Sequence, residues 1–288
     1  MKVNFFIAGA PKSGTTSLYQ YLCQHKEIEM CSIKEPDFFS STALKKKQTY
    51  YGNDPIKSIE KYNKLFSNKK DLLRGEASVS YLFYDDVAKK IKKYNEKAKI
   101  IIILRNPVDR AFSHYLMDYR LGLVSENFED IVKKRIDHKN ALLYYQQYVS
   151  VGEYYHQVER YIKVFGPEKL LIVNYDDFKN NLADTFEKIC LFLNISHTFK
   201  VDFTKSYNIY KRPRNKIVRW VYSFTRIRKI LSQIIPKIAV NYIIKMLFTE
   251  SKKPKLSSGA RKFLISHYKD DIINLSKLLN QDLSSWIK

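Results

Sequence analysis

The 288-residue chain has only three cysteines, Cys23, Cys31 and Cys190. No two of them stand at metal-ligand spacing, and an odd, sparse set does not describe a disulfide framework. This scarcity excludes a disulfide-stapled scaffold and a cysteine-based zinc module, and it fits a reducing cytosol. Acidic residues are also short, because 29 Asp and Glu face 51 Lys and Arg for a net charge of +22. That balance admits anionic small molecules, acidic glycans, nucleic acid or an anionic membrane as partners, and it does not choose among them. Part of the excess is also what a composition rich in Lys, Ile, Asn and Tyr gives, as expected of an A+T-rich coding genome. Long apolar runs are missing too. The stretch VNFFIAGA (3–10) is far below the roughly 20 residues a membrane helix needs, and no cleavage-site pattern follows it. We therefore expect a buried strand there, in a cytoplasmic chain without signal or anchor. No internal repeat or low-complexity linker divides the sequence, so a single domain over residues 1–288 is expected.

Three further segments have strand character: DLLRGEA (71–77), KIIIILR (99–105) and KLLIVNY (169–175). The last two are continuous apolar runs, the pattern of strands buried on both faces of a parallel sheet. Helical patterns separate them. Leu18, Tyr21, Leu22 and His25 fall on one helical face, and Asn106-Pro107 supplies a cap and a first-turn proline for a helix through Tyr119. A helix over 153–165 stops at Gly166-Pro167, and another places Leu182, Phe186, Ile189, Cys190 and Leu193 on one face. Strands alternating with helices predict an α/β fold, a central parallel sheet flanked by helices in three layers, with ligands at the carboxyl ends of the strands.

The segment IAGAPKSGTTSLYQYL (7–22) joins the first strand to the first helix. Gly9 and Gly14 reproduce the G-x-x-x-x-G spacing of a phosphate-binding loop, in which backbone N–H groups converge on an anion at a helix N-terminus. A Walker loop continues with Lys and then Ser or Thr, the hydroxyl holding Mg²⁺. Here position 15 is Thr, and the lysine is Lys12, inside the loop. The strand 99–105 ends in Arg105, where a metal-binding strand end presents Asp. The pattern describes a phosphate held by cations and hydroxyls, with no metal.

Together, APKSGTTSLYQYL and IIIILRNPVDRAFSHY resemble the 5′-phosphosulfate loop and the 3′-phosphate strand–helix element of the sulfotransferases that use 3′-phosphoadenosine-5′-phosphosulfate (PAPS). The segments GEYYHQVERYIKVFGPEKLLIVNYDDF and YKDDIINLSKLLNQDLSSWI are similar to the same family, particularly its carbohydrate-modifying and bacterial members, so the resemblance covers nearly the whole chain. It implies a P-loop-like fold, PAPS as donor, 3′,5′-bisphosphoadenosine as product, and no metal. It also implies that Pro11, Lys12, Ser13, Gly14, Thr15, Thr16 and Ser17 wrap the 5′-phosphosulfate, while Arg105 and Ser113 hold the 3′-phosphate. The physical reading agrees, since a guanidinium forks onto phosphate oxygens and Ser113 lies in the helix that follows the strand.

Sulfuryl transfer needs a nucleophile freed of its proton, charge stabilisation on the leaving phosphate, and reacting atoms in line. Lys12 is the natural charge stabiliser. The resemblance to glycan and tyrosine sulfotransferases places the catalytic base at Glu35, in CSIKEPDFF; Glu76, in RGEASVSY, is the rival. His114 is a weaker rival, expected to pack or face solvent along its helix. Two departures bear on these roles. Ala77 stands where glycan sulfotransferases often have a lysine, and the late donor-covering loop has no glycine, only SYNIYKRPRNK (206–216). Arg212 and Arg214 are its candidate cations, with Tyr207 or Tyr210 beside adenine.

Residues 216–248 carry seven basic and no acidic side chains among large apolar groups. The basic segment 216–250 therefore reads either as helices packed on the domain with solvated cations or as a peripheral contact with the inner face of a membrane. The expected acceptor is a hydroxyl or amine of a carbohydrate or glycolipid, with a phenolic or lipid small molecule as the alternative. A P-loop kinase or NTPase is disfavoured by the misplaced lysine, and a nucleic-acid binder by the lack of any recognisable module.

Overall fold

The computed structural model describes residues 2–46, 55–67, 71–198, 201–204, 211–214, 218, 247–250 and 253–288. Five strands form one parallel sheet: β1 (Phe5–Gly9), β2 (Ile28–Met30), β3 (Leu73–Ala77), β4 (Lys99–Leu104) and β5 (Leu170–Asn174). Their order is β2-β3-β1-β4-β5. In β1 and β4 successive side chains enter opposite cores. Phe6, Ala8, Ile100 and Ile102 belong to one apolar cluster, and Phe5, Ile7, Ile101 and Ile103 to the other. That period of two, apolar on both faces, is what the continuous runs require of a sheet covered on both sides. Gly75 in β3 pairs with Phe5, and the Phe5 ring lies where a Cβ would stand, only 2.1 Å from it.

The helices follow from local chemistry. Helix α1 (Thr15–Leu22) leaves the loop after β1, with Gly14 at its N-cap in the left-handed region, φ 85°. Short helices α2 (Ser41–Lys46), α3 (Ile59–Asn63) and α4 (Val87–Tyr94) come before β4. Asn106 caps α5 (Pro107–Arg120), its side chain accepting from Val108 N at 2.9 Å, with Pro107 in the first turn as expected. Then come α6 (Phe128–Val132), α7 (Ala141–Tyr148) and α8 (Tyr154–Phe165), the last ending at Gly166 with φ 78°. After β5 lie α9 (Tyr175–Asn180) and α10 (Leu182–Leu193), which buries Phe186, Ile189, Cys190 and Leu193 as its periodicity predicts. A long helix, α11 (Ser258–Leu279), packs on α8 and caps it: Asp271 accepts from Tyr154 N at 2.8 Å and from Tyr155 N at 3.1 Å.

Two features lie beyond the expected strands. The three-residue β2 is too short for periodicity to reveal. A two-stranded antiparallel ribbon pairs β6 (Lys211–Pro213) with β7 (Phe248–Glu250). Most of the basic segment 216–250 lies outside the described residues, and among those described no helix is long and apolar enough to cross a membrane.

The strand order sets the location of the site. From β1 the chain builds β2 and β3 on one side, then crosses to β4 and β5 on the other, so the crevice beyond the carboxyl end of β1 is the switch point where such sheets bind ligands.

Candidate active site

A cavity of about 690 Å³ opens at that switch point. The loop after β1 lines it with Pro11, Lys12, Gly14, Thr15, Thr16 and Ser17; the end of β4 adds Arg105, and α5 adds Ser113, His114 and Met117. Tyr175, Phe178 and Lys179 come from α9. Glu35 and Asp37, from the turn after β2, meet Val79 and Ser80, from the turn after β3.

The loop is shaped to approach an anion. Lys12 and Gly14 both adopt positive φ, 68° and 85°, and a Cβ on Gly14 would stand 3.2 Å from the Phe178 ring. This leaves the first N–H groups of α1 pointing out of the helix end, where an anion is favoured. Ser13 does not line the cavity. It is wholly buried, and its Oγ has no hydrogen-bond partner among the described residues, so the loop carries a donor that an anion held there can use.

Lys12 Nζ donates to Met117 Sδ at 3.3 Å. Burial, reinforced by the Arg120 charge and opposed by Asp118 and Glu35, pushes its pKa down to about 8. The Arg105 guanidinium donates to Lys12 O at 3.1 Å and lies over the Tyr175 ring, 4.6 Å from its centroid. One side chain thus pins the loop and faces the cavity. Loop, guanidinium, buried hydroxyl and helix end together fit the phosphates of the expected donor.

The two candidate bases are separated by the fold. Glu35, at φ 61°, is anchored by its own N–H donating to Ala77 O at 2.9 Å; its half-exposed carboxylate pairs with Lys34 and lines the cavity. Glu76 is fully buried and does not line the cavity. Its carboxylate accepts from Ser78 Oγ at 2.6 Å, Tyr62 OH at 2.7 Å and Tyr81 OH at 3.0 Å. Burial raises its pKa to about 7 against those hydroxyls. Three donors on two oxygens make Glu76 an anchor for the end of β3. Ala77 is equally buried, so this position faces the core and not the acceptor.

His114 packs as expected but also lines the cavity. Burial, with Arg110 and Lys12 nearby, holds its pKa well below the usual imidazole range, and Arg110 Nη1 lies 3.4 Å from its Nδ1. Arg214 is exposed, donates its N–H to Leu247 O at 3.0 Å, and does not line the cavity. Arg212 lies in β6, with its side chain outside the described residues, as are Tyr207 and Tyr210.

The sequence reading missed two cavity or near-cavity groups. Asp37 is 9% exposed and accepts from Ser80 Oγ at 2.6 Å. Its signal was its place two residues after Glu35. Lys253 lies near enough to Arg105 that desolvation and the guanidinium together lower its pKa. It belongs to the basic run just before α11, a later segment than 206–216.

A loop of phosphate-binding shape thus lies at one end of the cavity and the Glu35 carboxylate in its wall. A family model described as the sulfotransferase domain matches residues 2–231, and the chain belongs to that family. It is similar to the bifunctional heparan sulfate N-deacetylase/N-sulfotransferase 4 of Mus musculus, 26% identical over 294 residues, covering 99% of this chain and 31% of that protein. Carbohydrate sulfotransferase 15 of Mus musculus is 26% identical over 244 residues, covering 67% of this chain and 44% of that protein. The chain thus spans less than half the length of these relatives. A solved sulfotransferase from Alicyclobacillus acidocaldarius matches with a TM-score of 0.72 at 27% identity, over 100% of both chains.

Proposed function

We propose that this chain transfers the sulfuryl group of PAPS to a hydroxyl or amine of a carbohydrate, with Glu35 as general base and Lys12 as the charge stabiliser. The observation that carries the assignment is that Glu35 and Lys12 line one cavity while Glu76 is sealed beneath it. The carbohydrate sulfotransferases among the relatives support the acceptor class.

The donor's 5′-phosphosulfate would lie against Lys12, Ser13 and the N-terminus of α1, and its 3′-phosphate against Arg105 and Ser113, with Lys253 joining from the late segment. A lysine pushed down to about 8 is still mostly an ammonium near neutral pH, and a bound polyanion favours that charged form further. Lys12 then holds the negative charge that builds on the leaving phosphate oxygen. Glu35 takes the acceptor's proton as that oxygen or nitrogen attacks sulfur. The Lys34 ammonium pairs with the Glu35 carboxylate at the cavity wall. No residue in this scheme requires a metal. Peripheral contact of the segment 216–250 with anionic membrane, and a glycolipid as acceptor, remain part of the proposal.

Radiolabelled PAPS offered with neutral and acidic glycans, glycolipids and simple phenols tests the assignment. Label should pass to a glycan. Transfer to phenols alone would overturn the carbohydrate reading, and turnover of Mg-ATP without PAPS binding would overturn the enzyme class.

A further inference from the structure

The lysine and arginine side chains that line the cavity are Lys12 in the loop, Arg105 after β4 and Lys179 on α9. The rest of the lining includes Glu35, Asp37, Ser80, Tyr84, Gln146 and Gln147, with two carboxyl groups and no Lys or Arg among the described residues. In a chain of net charge +22, this wall is the reverse of what a polyanionic acceptor calls for.

Asp37 is the group the mechanism leaves without work. Its turn holds it at φ 52°, with its N–H donating to Ser78 Oγ at 3.1 Å and its Oδ1 accepting from Ser80 Oγ at 2.6 Å. Ser80 Oγ is in turn 2.8 Å from Ser40 Oγ. These partners are all neutral. The neighbouring ammonium, Lys34, pairs with Glu35 and acts on Asp37 only through its charge at a distance; no basic side chain among the described residues forms an ion pair with Asp37. A carboxyl kept in such a place is costly unless a cation or a donated proton arrives to meet it.

We propose that Asp37 is the specificity-determining carboxyl of this site and that, with Glu35, it selects an amine on an otherwise uncharged sugar over a polyanionic glycan. The inference rests on the carbohydrate reading above. Its chemistry is a count of protons. A sugar ammonium must lose one proton to expose the nitrogen lone pair. That pair forms the N–S bond as the S–O bond to the donor's 5′-phosphate breaks, the bonding electrons going to the phosphate oxygen. The nitrogen then loses a second proton to become the sulfamate. A hydroxyl acceptor loses only one proton, so two carboxyls in one wall match an amine. Burial pushes the Asp37 pKa up to about 7, with Glu35 adding to the rise and the Ser80 hydroxyl opposing it, which makes it a better proton acceptor than an ordinary carboxylate.

The test compares three acceptors with radiolabelled PAPS: a β-linked glucosamine tetramer, its N-acetylated counterpart, and N-desulfated heparin as an amine-bearing polyanion. Wild type should use the glucosamine tetramer with the highest kcat/KM. Asp37→Asn should lower the amine-to-hydroxyl ratio of kcat/KM about tenfold or more, mainly through KM for the amine, with the affinity for 3′,5′-bisphosphoadenosine kept; one lost charge-assisted contact is of that size. Asp37→Glu should recover part of the ratio. If Asp37→Asn does not fold, Ser80→Ala removes only the hydroxyl on Oδ1 and should shift the ratio in the same direction by less. Equal use of the two tetramers, preference for N-desulfated heparin, or an unchanged ratio in the variants would overturn the inference while leaving carbohydrate sulfation standing. Transfer to phenols but to none of the three glycans would overturn both.

Discussion

The loop at residues 9–17 and the turn at residues 33–40 enter the same cavity from the ends of β1 and β2, which β3 separates, and both use left-handed backbone: Lys12 and Gly14 in one, Glu35 and Asp37 in the other. What fixes them differs. The loop is held between a buried strand and the helix it starts, with one guanidinium closing it from β4. The turn after β2 is held mainly by the end of β3, with Ile56 N also donating to Pro36 O at 2.9 Å. Ala77 O receives Glu35 N, Ser78 Oγ receives Asp37 N, and Ser80 Oγ binds the Asp37 carboxyl. The donor side therefore depends on local sequence, and the acceptor side on a contact between segments about 40 residues apart. Acceptor chemistry can change through the β3 turn while the donor loop stays as it is.

The largest effect should come from the turn. Glu35→Gln keeps size and some hydrogen bonding but removes proton acceptance, so turnover should fall by roughly 10²–10⁴-fold with bisphosphoadenosine affinity near wild type. Stopped-assay kinetics beside calorimetry separate the two readouts. Retained turnover would remove Glu35 from the chemistry and leave an acceptor that is already nucleophilic, as a neutral amine is.

On the donor side, Arg105→Ala should weaken bisphosphoadenosine binding by about 1.5–3 kcal/mol, the scale of a hydrogen bond to a charged group. Arg105 also ties down Lys12 O, so part of the loss belongs to the loop. Arg105→Lys, which keeps the charge without the fork, should recover less affinity than charge alone predicts. Calorimetric affinity equal to wild type in Arg105→Ala would take the guanidinium out of the donor site and blur the division between the two regions.

This division also explains what could be read without coordinates. Strands β1, β4 and β5 were legible because continuous apolar runs leave a clear mark, the three-residue β2 was not, and the donor loop was legible because glycines, lysine and hydroxyls fall within nine residues. Capping at Asn106-Pro107 and termination at Gly166 were equally local. The acceptor wall was not legible in this way. Glu35 was placed by resemblance, and nothing near Glu76 in sequence shows that Tyr62 and Tyr81 converge on its carboxylate. Asp37 stands in the sequence as a neighbour of Glu35, and its partner Ser80 comes from the turn after β3. Lys253 comes within the electrostatic influence of Arg105 from a run more than 140 residues later, a proximity that no local pattern announces.

The smallest effect tests the scaffold beneath the turn. Glu76 is fully buried with a pKa raised to about 7 from its ordinary 4.5, so its carboxyl binds a proton more tightly in the folded chain than in the unfolded one. The sign follows from linkage: between about pH 4.5 and 7 the folded state holds more protons, and stability from this group is present below that window and lost as pH rises through it. The slope from one such proton cannot exceed about 1.4 kcal/mol per pH unit. Glu76→Gln keeps an oxygen to accept from Ser78, Tyr62 or Tyr81 but cannot ionise, so its melting temperature should vary less with pH across this window than that of the wild type. Turnover should survive, because Ser78 still holds the Asp37 backbone. Parallel melting curves in the two proteins would show that Glu76 does not carry the titration. Loss of turnover with donor affinity and melting temperature intact would move the base from Glu35 to Glu76, and the acceptor pocket would have to be redrawn around residues 74–81.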